Sequence, residues 1–146
     1  MDKTSRHDAW TAGDSYDTYM GRWSRPVALR FLGWLDLPGK LEWLELGCGT
    51  GALTDRIVRQ CDPASVLAIE PSEGFLLKVR EMISDARLDA RKGDAESLRQ
   101  FPDASRDVAV SGLVLNFVPD RLAALREMRR IVRPGGTVAF YVWFFP

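Results

Sequence analysis

A glycine-rich segment at residues 47–51, GCGTG, has the composition of a ligand-binding loop. It follows a short predicted strand, residues 41–46, and precedes a segment with helical periodicity. Glycines at a strand-to-helix turn allow tight curvature and let a ligand approach the bare main chain. The loop therefore predicts a ligand site, although a glycine loop alone also fits a simple turn between a strand and a helix.

Acidic residues accompany this loop along the chain. Glu45 comes just before it, Glu70 ends the next apolar run, and Asp94 follows a weaker third strand. Ligands of parallel α/β sheets bind beyond the carboxyl ends of the strands, so these carboxylates should converge on one rim. A carboxylate at the position of Glu70 can accept both hydroxyls of a ribose. Each acid alone fits a solvated loop residue, but together they indicate a nucleoside site.

The residue types discriminate between two kinds of nucleoside ligand. Residues 47–52, GCGTGA, fit the G-x-G-x-x-A pattern of dinucleotide loops, which places a pyrophosphate at the helix N-terminus. Glu45 would lie close to that pyrophosphate, and like charges in a cleft repel each other. A ligand with an ammonium, a sulfonium and a ribose would instead be attracted by Glu45 and Glu70. The sequence therefore favours an aminoacyl nucleoside, with a nicotinamide dinucleotide as the weaker alternative.

Strands and helices alternate along the chain, which predicts one α/β domain. Its parallel sheet should have right-handed crossovers and helices on both faces, in three layers. We expect residues 1–14 to be a flexible lead-in and residues 15–146 to form the domain. Residues 16–35 are predicted to be two helical pieces broken near Pro26. The other predicted helices are the segment after the glycine loop, residues 72–83 and residues 120–132; the predicted strands are residues 41–46, 64–69, 88–91, 107–113 and 137–145.

Two of the predicted helices have clear boundary and packing signals. Ser72 is a plausible N-cap for the helix over residues 72–83. Pro134 and the glycines after it should stop the helix over residues 120–132. The residues expected to face the core are Phe75, Leu76 and Val79 in the first helix, and Leu122, Leu125, Met128 and Val132 in the second.

Composition excludes several classes of function. The 146 residues are 46% hydrophobic, and 20 basic residues balance 20 acidic ones. The chain therefore lacks the excess of positive charge that is typical of proteins that bind nucleic acids or anionic membranes. His7 is the only histidine, and the two cysteines form no CxxC pair, so we expect neither a metal site nor a His-dependent hydrolase. The first residues lack the apolar core of a signal peptide, and we predict a cytoplasmic protein.

A family resemblance is carried by several motifs in succession. Taken together, they are similar to the motifs of class I S-adenosylmethionine-dependent methyltransferases, nearest to the small-molecule group that includes the quinone-biosynthesis C-methyltransferases. The resemblance covers about residues 16–143 and implies a Rossmann-like sheet of strand order 3-2-1-4-5, with a small-molecule methyl acceptor. The motifs are LEWLELGCGTGALT, LAIEPSEGFL, GDAESL, VAVSGLVLNFVPD and LREMRRIVRPGGTVAFYVW.

The resemblance implies roles for the residues that match the family's motifs around the cofactor. Glu45 would hold the ammonium of S-adenosylmethionine, and Glu70 would accept the ribose hydroxyls. Asp94, with Ala95 beside it, would accept from the adenine amino group. The residues that would line the methionine part are Gly47, Gly49 and Gly51. Those that would pack against the adenine are Pro71, Ser72 and Phe75.

Two further groups of residues match the family on the acceptor side. Ser111, Leu113 and Asn116 would line the passage between methyl donor and acceptor. A helix that covers the cofactor would contribute Tyr16, Tyr19, Arg22 and Trp23; the aromatic residues among them fit equally well a helix face packed on the sheet. Methyl transfer is an in-line displacement that yields S-adenosylhomocysteine, and the protein mainly aligns the reactants. The sequence identifies no catalytic base.

The chain departs from the family at its C-terminal end. The family's sheet normally has seven strands, whereas this sequence ends with the fifth, so the last two strands and much of the acceptor pocket are expected to be lacking. A non-catalytic cofactor-binding or interaction module is therefore an alternative. The fifth strand should be an open edge that invites self-association. The aromatic residues expected on this edge are Tyr141, Trp143, Phe144 and Phe145.

Overall fold

The computed structural model describes the backbone of residues 13–144 and the side chains of residues 22–144. Apart from residues 13 and 14, which belong to the first helix, the predicted lead-in lies outside the described residues. A 3-10 helix, Leu115–Phe117, follows the fourth strand. The helices are α1 (Gly13–Leu35), α2 (Ala52–Gln60), α3 (Glu73–Met82) and α4 (Arg121–Ile131); the strands are β1 (Glu42–Leu46), β2 (Ser65–Glu70), β3 (Leu88–Lys92), β4 (Arg106–Gly112) and β5 (Val132–Tyr141).

The strands form one parallel sheet in the order β3-β2-β1-β4-β5. β1 lies at its centre, where Glu45 is opposite Ala68 of β2 on one side and Val110 of β4 on the other. This confirms the predicted Rossmann-like α/β fold. Because β1 and β2 are covered on both faces, their side chains from Trp43 to Leu46 and from Val66 to Glu70 are buried.

Three hydrophobic clusters hold the layers together. On one face, Trp43 of the sheet packs with Phe31 of α1 and Ile57 of α2. Leu76 of α3 packs in a second cluster on the same face. On the other face, leucines of β1 and β2 pack with Met128 of α4. α2 and α3 thus share one face with α1, and α4 covers the opposite face. This arrangement leaves the carboxyl ends of β1, β2 and β4 together at one rim.

The predicted break at Pro26 is wrong, because α1 continues through it. Proline in a helix interior removes one backbone hydrogen bond and crowds the preceding turn. Here Pro26 is exposed, and the turns after it bury Ala28, Phe31 and Leu32 against the sheet. The burial of these apolar side chains offsets the local cost of the proline.

The predicted buried stripe of α4 is also wrong in part. Leu122 is 62% exposed, and Ala124 is buried with Met128 in its place. Asp120 caps this helix, since its Oδ1 accepts from the backbone N–H of Ala123 at 3.0 Å. Residues 124, 128 and 131 are spaced four and three residues apart and therefore lie on one helix face, which Leu122 does not share. Ile131 completes the buried stripe.

The last strand begins earlier than predicted, directly after α4. Gly135 adopts a φ of +83°, and the pairing of β4 with β5 shifts register between Arg106 and Val108. A Cβ on Gly136 would lie 2.5 Å from the carbonyl oxygen of Asp107. The glycines therefore do not end helix α4, which already ends at Ile131. They let β5 bend and pass close to the backbone of β4.

The β5 edge differs from the predicted row of exposed aromatic side chains. β5 does lie at the edge of the sheet, and Phe144 after it is 85% exposed. Tyr141 instead packs against Phe31, with the ring centroids 4.7 Å apart, and Trp143 is half-buried. Phe145 lies outside the described residues. Self-association through this edge stays a prediction.

Within residues 13–144, no helix has the length and apolar character needed to cross a membrane. The same part of the chain contains no cluster of side chains suited to hold a metal ion.

Candidate functional site

The glycine loop joins the end of β1 to α2 along a backbone path that suits glycine. Gly47, Gly49 and Gly51 have φ angles of +70°, +55° and +95°, a region that other residues rarely adopt. The backbone N–H groups of Gly47 and Cys48 both donate to the carbonyl of Ile69, at 2.7 and 3.1 Å. The loop is therefore fixed against the end of β2, and its glycines serve a conformation that the fold requires.

The space around the loop differs from one glycine to the next. A Cβ on Gly47 would lie 2.5 Å from Cγ1 of Val114, in the segment after β4. A Cβ on Gly49 would meet nothing within 4 Å. The backbone at Gly49 consequently borders open space, as a ligand site requires.

This contrast yields a matched pair of predictions. Gly49→Ala is expected to lower the free energy of unfolding by about 1 kcal/mol, because it adds only backbone strain. Gly47→Ala adds the clash with Val114 to a similar strain and should cost about 2 kcal/mol. Urea unfolding of both variants would measure the difference. Equal losses of unfolding free energy in the two variants would show that a side chain at residue 47 does not clash with Val114.

Glu70, at the end of β2, connects the glycine loop to α3. Its Oε1 accepts from the backbone N–H of Gly49 and its Oε2 from that of Ser72, each at 2.9 Å. The side chain is 4% exposed, and burial raises the pKa of Glu70 while the two amide bonds oppose that rise. Each carboxylate oxygen has a further lone pair. Glu70 thus shapes the loop and retains the capacity to accept two hydroxyls.

Glu45 is the second buried acid, and Thr54 of α2 is its partner. The Thr54 hydroxyl donates to Oε1 of Glu45 at 2.5 Å, and Glu45 is 1% exposed. The pKa of Glu45 is raised from its usual value to about 7. Burial is the largest cause, the hydrogen bond from Thr54 opposes it, and the charge of Glu70 adds to it. A cation placed beside Glu45 would restore its charged form.

A cleft lies over the glycine loop, between α1 and the ends of β4 and β5. Among the residues predicted from the sequence, those that line it are Glu45, Gly47, Gly49 and Leu113. The cleft is also lined by Tyr141, which was predicted to be exposed on the edge of the fifth strand, and by four residues that the sequence did not single out: Ser24, Thr50, Gly112 and Val114. α1 therefore covers the cleft, but it contributes Ser24 rather than the predicted Trp23 and Arg22, which are exposed. The side chains of Tyr16 and Tyr19 lie outside the described residues.

Tyr141 closes the cleft on the side of β5. Its ring lies across Gly112, the residue beside it in β4, where a side chain would collide with the phenol. Burial, and secondarily the charge of Glu45, raise the pKa of Tyr141. The phenol therefore keeps its proton and is able to donate a hydrogen bond. The pairing of Tyr141 with Gly112 would indicate its place in the cleft, but this pairing is known only from the register of β4 and β5 and not from the sequence.

The predicted adenine side lies at the ends of β2 and β3. Ser72 caps α3, since its Oγ accepts from the backbone N–H of Phe75 at 3.3 Å, as predicted. Phe75 is buried, Pro71 is exposed, and Asp94 is exposed beside half-buried Ala95. Asp94 pairs with Ser97 in an isolated bridge. These residues follow the same rim as Glu70, on the side of the glycine loop away from β4.

Two residues predicted for the donor–acceptor passage use their polar groups elsewhere. Ser111 is fully buried, and its hydroxyl donates to the carbonyl of Leu46 at 2.9 Å, inside the sheet. Asn116 Nδ2 donates to the carbonyl of Trp143 at 2.9 Å, and its Oδ1 accepts from the N–H of Trp143 at 2.8 Å. Ser111 thus links β4 to the end of β1, and Asn116 links the 3-10 helix to the segment after β5. Leu113, with a φ of +60°, does reach the cleft.

The fold and this site define a class of protein. Residues 44–140 match the family described as a methyltransferase domain, and the chain belongs to the class I S-adenosylmethionine-dependent methyltransferases. S-adenosylmethionine is therefore the cofactor of its family.

Curated relatives act on chemically different acceptors, as their names state. The human thiol S-methyltransferase TMT1B is 38% identical over 109 residues, covering 70% of this chain and 43% of that protein. The malonyl-acyl-carrier-protein O-methyltransferase of Serratia marcescens is 35% identical over 130 residues, covering 88% and 48%. The demethylmenaquinone methyltransferase of Listeria monocytogenes is 35% identical over 100 residues, covering 66% and 42%. The chain thus spans less than half the length of these relatives.

Solved structures of methyltransferases share the fold. The methyltransferase solved with the Haloferax volcanii Trm112 methyltransferase activator has a TM-score of 0.81 at 25% identity, covering 92% of this chain and 59% of that one. An S-adenosylmethionine-dependent methyltransferase from Mesorhizobium loti has a TM-score of 0.66 at 30% identity, covering 80% and 52%.

Proposed function

We propose that this protein transfers the methyl group of S-adenosylmethionine to a small-molecule acceptor by in-line displacement. The observation that carries the proposal is the pair of buried acids, Glu45 and Glu70, on either side of an open glycine loop. Buried carboxylates with raised pKa values cost stability, and the cost is offset when a cationic ligand binds beside them. The family membership supports the same conclusion.

The residues of the site fit this cofactor chemically. Glu45 would hold the ammonium, Glu70 the ribose hydroxyls, and the open backbone at Gly49 would border the methionine chain. Asp94 and Ala95 would contact the adenine, with Pro71 and Ser72 beside it. When bound, the cofactor supplies an activated methyl group on a sulfonium. The residues of this chain then have to orient it and exclude water.

The acceptor would approach from the side of β4 and β5. With the adenosine held at Glu70 and Asp94 and the methionine part at the glycine loop, the remaining part of the cleft would be bordered by Leu113, Val114 and Tyr141. This border is apolar apart from the protonated phenol of Tyr141. We therefore propose an acceptor that is already nucleophilic, such as a thiolate, without a base from this part of the chain.

Calorimetric titration with S-adenosylhomocysteine, beside NAD, tests the cofactor assignment. We expect micromolar binding of S-adenosylhomocysteine and no measurable binding of NAD, because a pyrophosphate would lie against Glu45. Selective binding of NAD would contradict the proposal and support a nucleotide-dependent oxidoreductase. Binding of S-adenosylhomocysteine without methyl transfer to a broad panel of thiols, phenols and carboxylates would instead support a cofactor-binding module.

A further inference from the structure

Thr54 is a polar residue in an apolar position. It lies in the first turn of α2, is fully buried, and has Leu53, Ile57 and Val58 as buried neighbours on the same helix. Valine has nearly the same shape and would fill this space without a polar group to satisfy. What threonine adds is its hydroxyl, and that hydroxyl donates to Oε1 of Glu45 at 2.5 Å.

The surroundings of Glu45 make this bond significant. Glu70 faces it from β2, Cys48 from the glycine loop, and Tyr141 from β5, while α1 contributes Ser24 to the same cleft. None of the described residues that line the cleft carries a positive charge. The hydrogen bond from Thr54 is accordingly the contact that favours the ionised form of Glu45 against burial and the charge of Glu70.

We propose that Thr54 is a positioning residue for cofactor binding: its hydroxyl fixes one oxygen of the Glu45 carboxylate and leaves the other for the ammonium. This inference rests on the proposed function. Thr54 does not itself touch the ligand; it acts through Glu45. A fixed carboxylate loses less conformational freedom when the ammonium binds, and a hydrogen-bonded carboxylate ionises more readily.

A pH dependence of cofactor binding follows from this arrangement. The ammonium binds the ionised carboxylate, and Glu45 gives up its proton at about pH 7. Affinity should therefore rise with pH through neutrality, until the ammonium of the ligand begins to lose its own proton. Removal of the Thr54 hydroxyl removes the contact that lowers the pKa of Glu45, so the rise should move to higher pH.

The test is titration with S-adenosylhomocysteine between pH 6 and pH 9. Thr54→Val should displace the midpoint of the affinity profile upward by about one pH unit, and affinity at pH 7 should fall roughly five- to tenfold. Thr54→Ser keeps the hydroxyl and should restore the midpoint. Thr137→Val, the same chemical change in β5, is the matched control and should leave the profile of the natural protein unchanged. If Thr54→Val does not fold, Thr54→Ala is expected to show the same displacement.

Three outcomes separate this inference from simpler explanations. An unchanged profile in the Thr54 variants, with the natural protein binding normally, would overturn the inference and leave the proposed function intact. A uniform loss of affinity at all pH values, without a displaced midpoint, would also overturn it, because it would indicate a packing defect alone. If the natural protein does not bind S-adenosylhomocysteine at any pH, the proposed function itself fails.

Discussion

Replacement of Glu45 by glutamine is expected to raise the free energy of unfolding of the unliganded protein by about 3 kcal/mol at pH 8. The pKa of Glu45 is about 7 in the folded chain, against an ordinary value of 4.5. Because the folded pKa is the higher one, the stability that this group contributes is fully present below pH 4.5. It is lost as the pH rises to about 7, where the buried carboxyl ionises. Glutamine is neutral throughout and can still accept the hydroxyl of Thr54.

Chemical denaturation at pH 4.5 and pH 8 measures this effect. The difference between Glu45→Gln and the natural protein should be near zero at pH 4.5 and reach its full value at pH 8. Glu81→Gln, at an exposed position of α3, is the control and should show no such divergence. A stability difference that is the same at both pH values would contradict the raised pKa.

The same substitution should damage ligand binding. The ammonium loses its charged partner, and a hydrogen bond between charged groups contributes about 1.5–3 kcal/mol. We therefore expect a loss of at least tenfold in affinity for S-adenosylhomocysteine at pH 8. A more stable protein that binds its cofactor less well is the signature of a residue retained for function rather than for folding.

Replacement of Glu70 by glutamine is expected to lower the affinity for S-adenosylhomocysteine by about 100-fold. The two carboxylate oxygens of Glu70 accept from the backbone N–H groups of Gly49 and Ser72. A glutamine amide has one oxygen and an NH₂ group, so one of these backbone donors would face another donor. The loop would lose its shape, and the ribose would lose a charged acceptor.

Calorimetry of Glu70→Gln beside Glu73→Gln would check this prediction. Glu73 lies three residues further along, at the start of α3, where it forms an exposed ion pair with Lys92. Exposed pairs of this kind contribute little, so this control should bind as the natural protein does. Comparable affinities for the two variants would show that the carboxylate of Glu70 is not part of the cofactor site.

The order of the sheet was implied by the family resemblance, whereas its parallel pairing and the rim of the site could be predicted from the residue pattern. Two mainly apolar runs, residues 64–69 and 107–113, alternate with helical segments and indicate a parallel sheet. Parallel strands place their carboxyl ends together, so Glu45, the glycine loop and Glu70 had to meet. The predictions that are wrong concern features that depend on tertiary packing. Helix α1 continues through Pro26 because the burial of its later turns offsets the cost of the proline, and α4 turns inward the face that carries Ala124 rather than the face that carries Leu122.

Short-range patterns and the direction of parallel strands are therefore sufficient to specify the fold class, the central loop and its two acids. Which polar groups are engaged depends instead on tertiary packing. Ser111 and Asn116 are bonded to the end of β1 and to the segment after β5, whereas Ser24 and Tyr141 reach the cleft from opposite ends of the chain. The bond between Thr54 and Glu45 likewise depends on how α2 packs against β1. Such contacts arise from three-dimensional packing, and no periodicity along the chain encodes them.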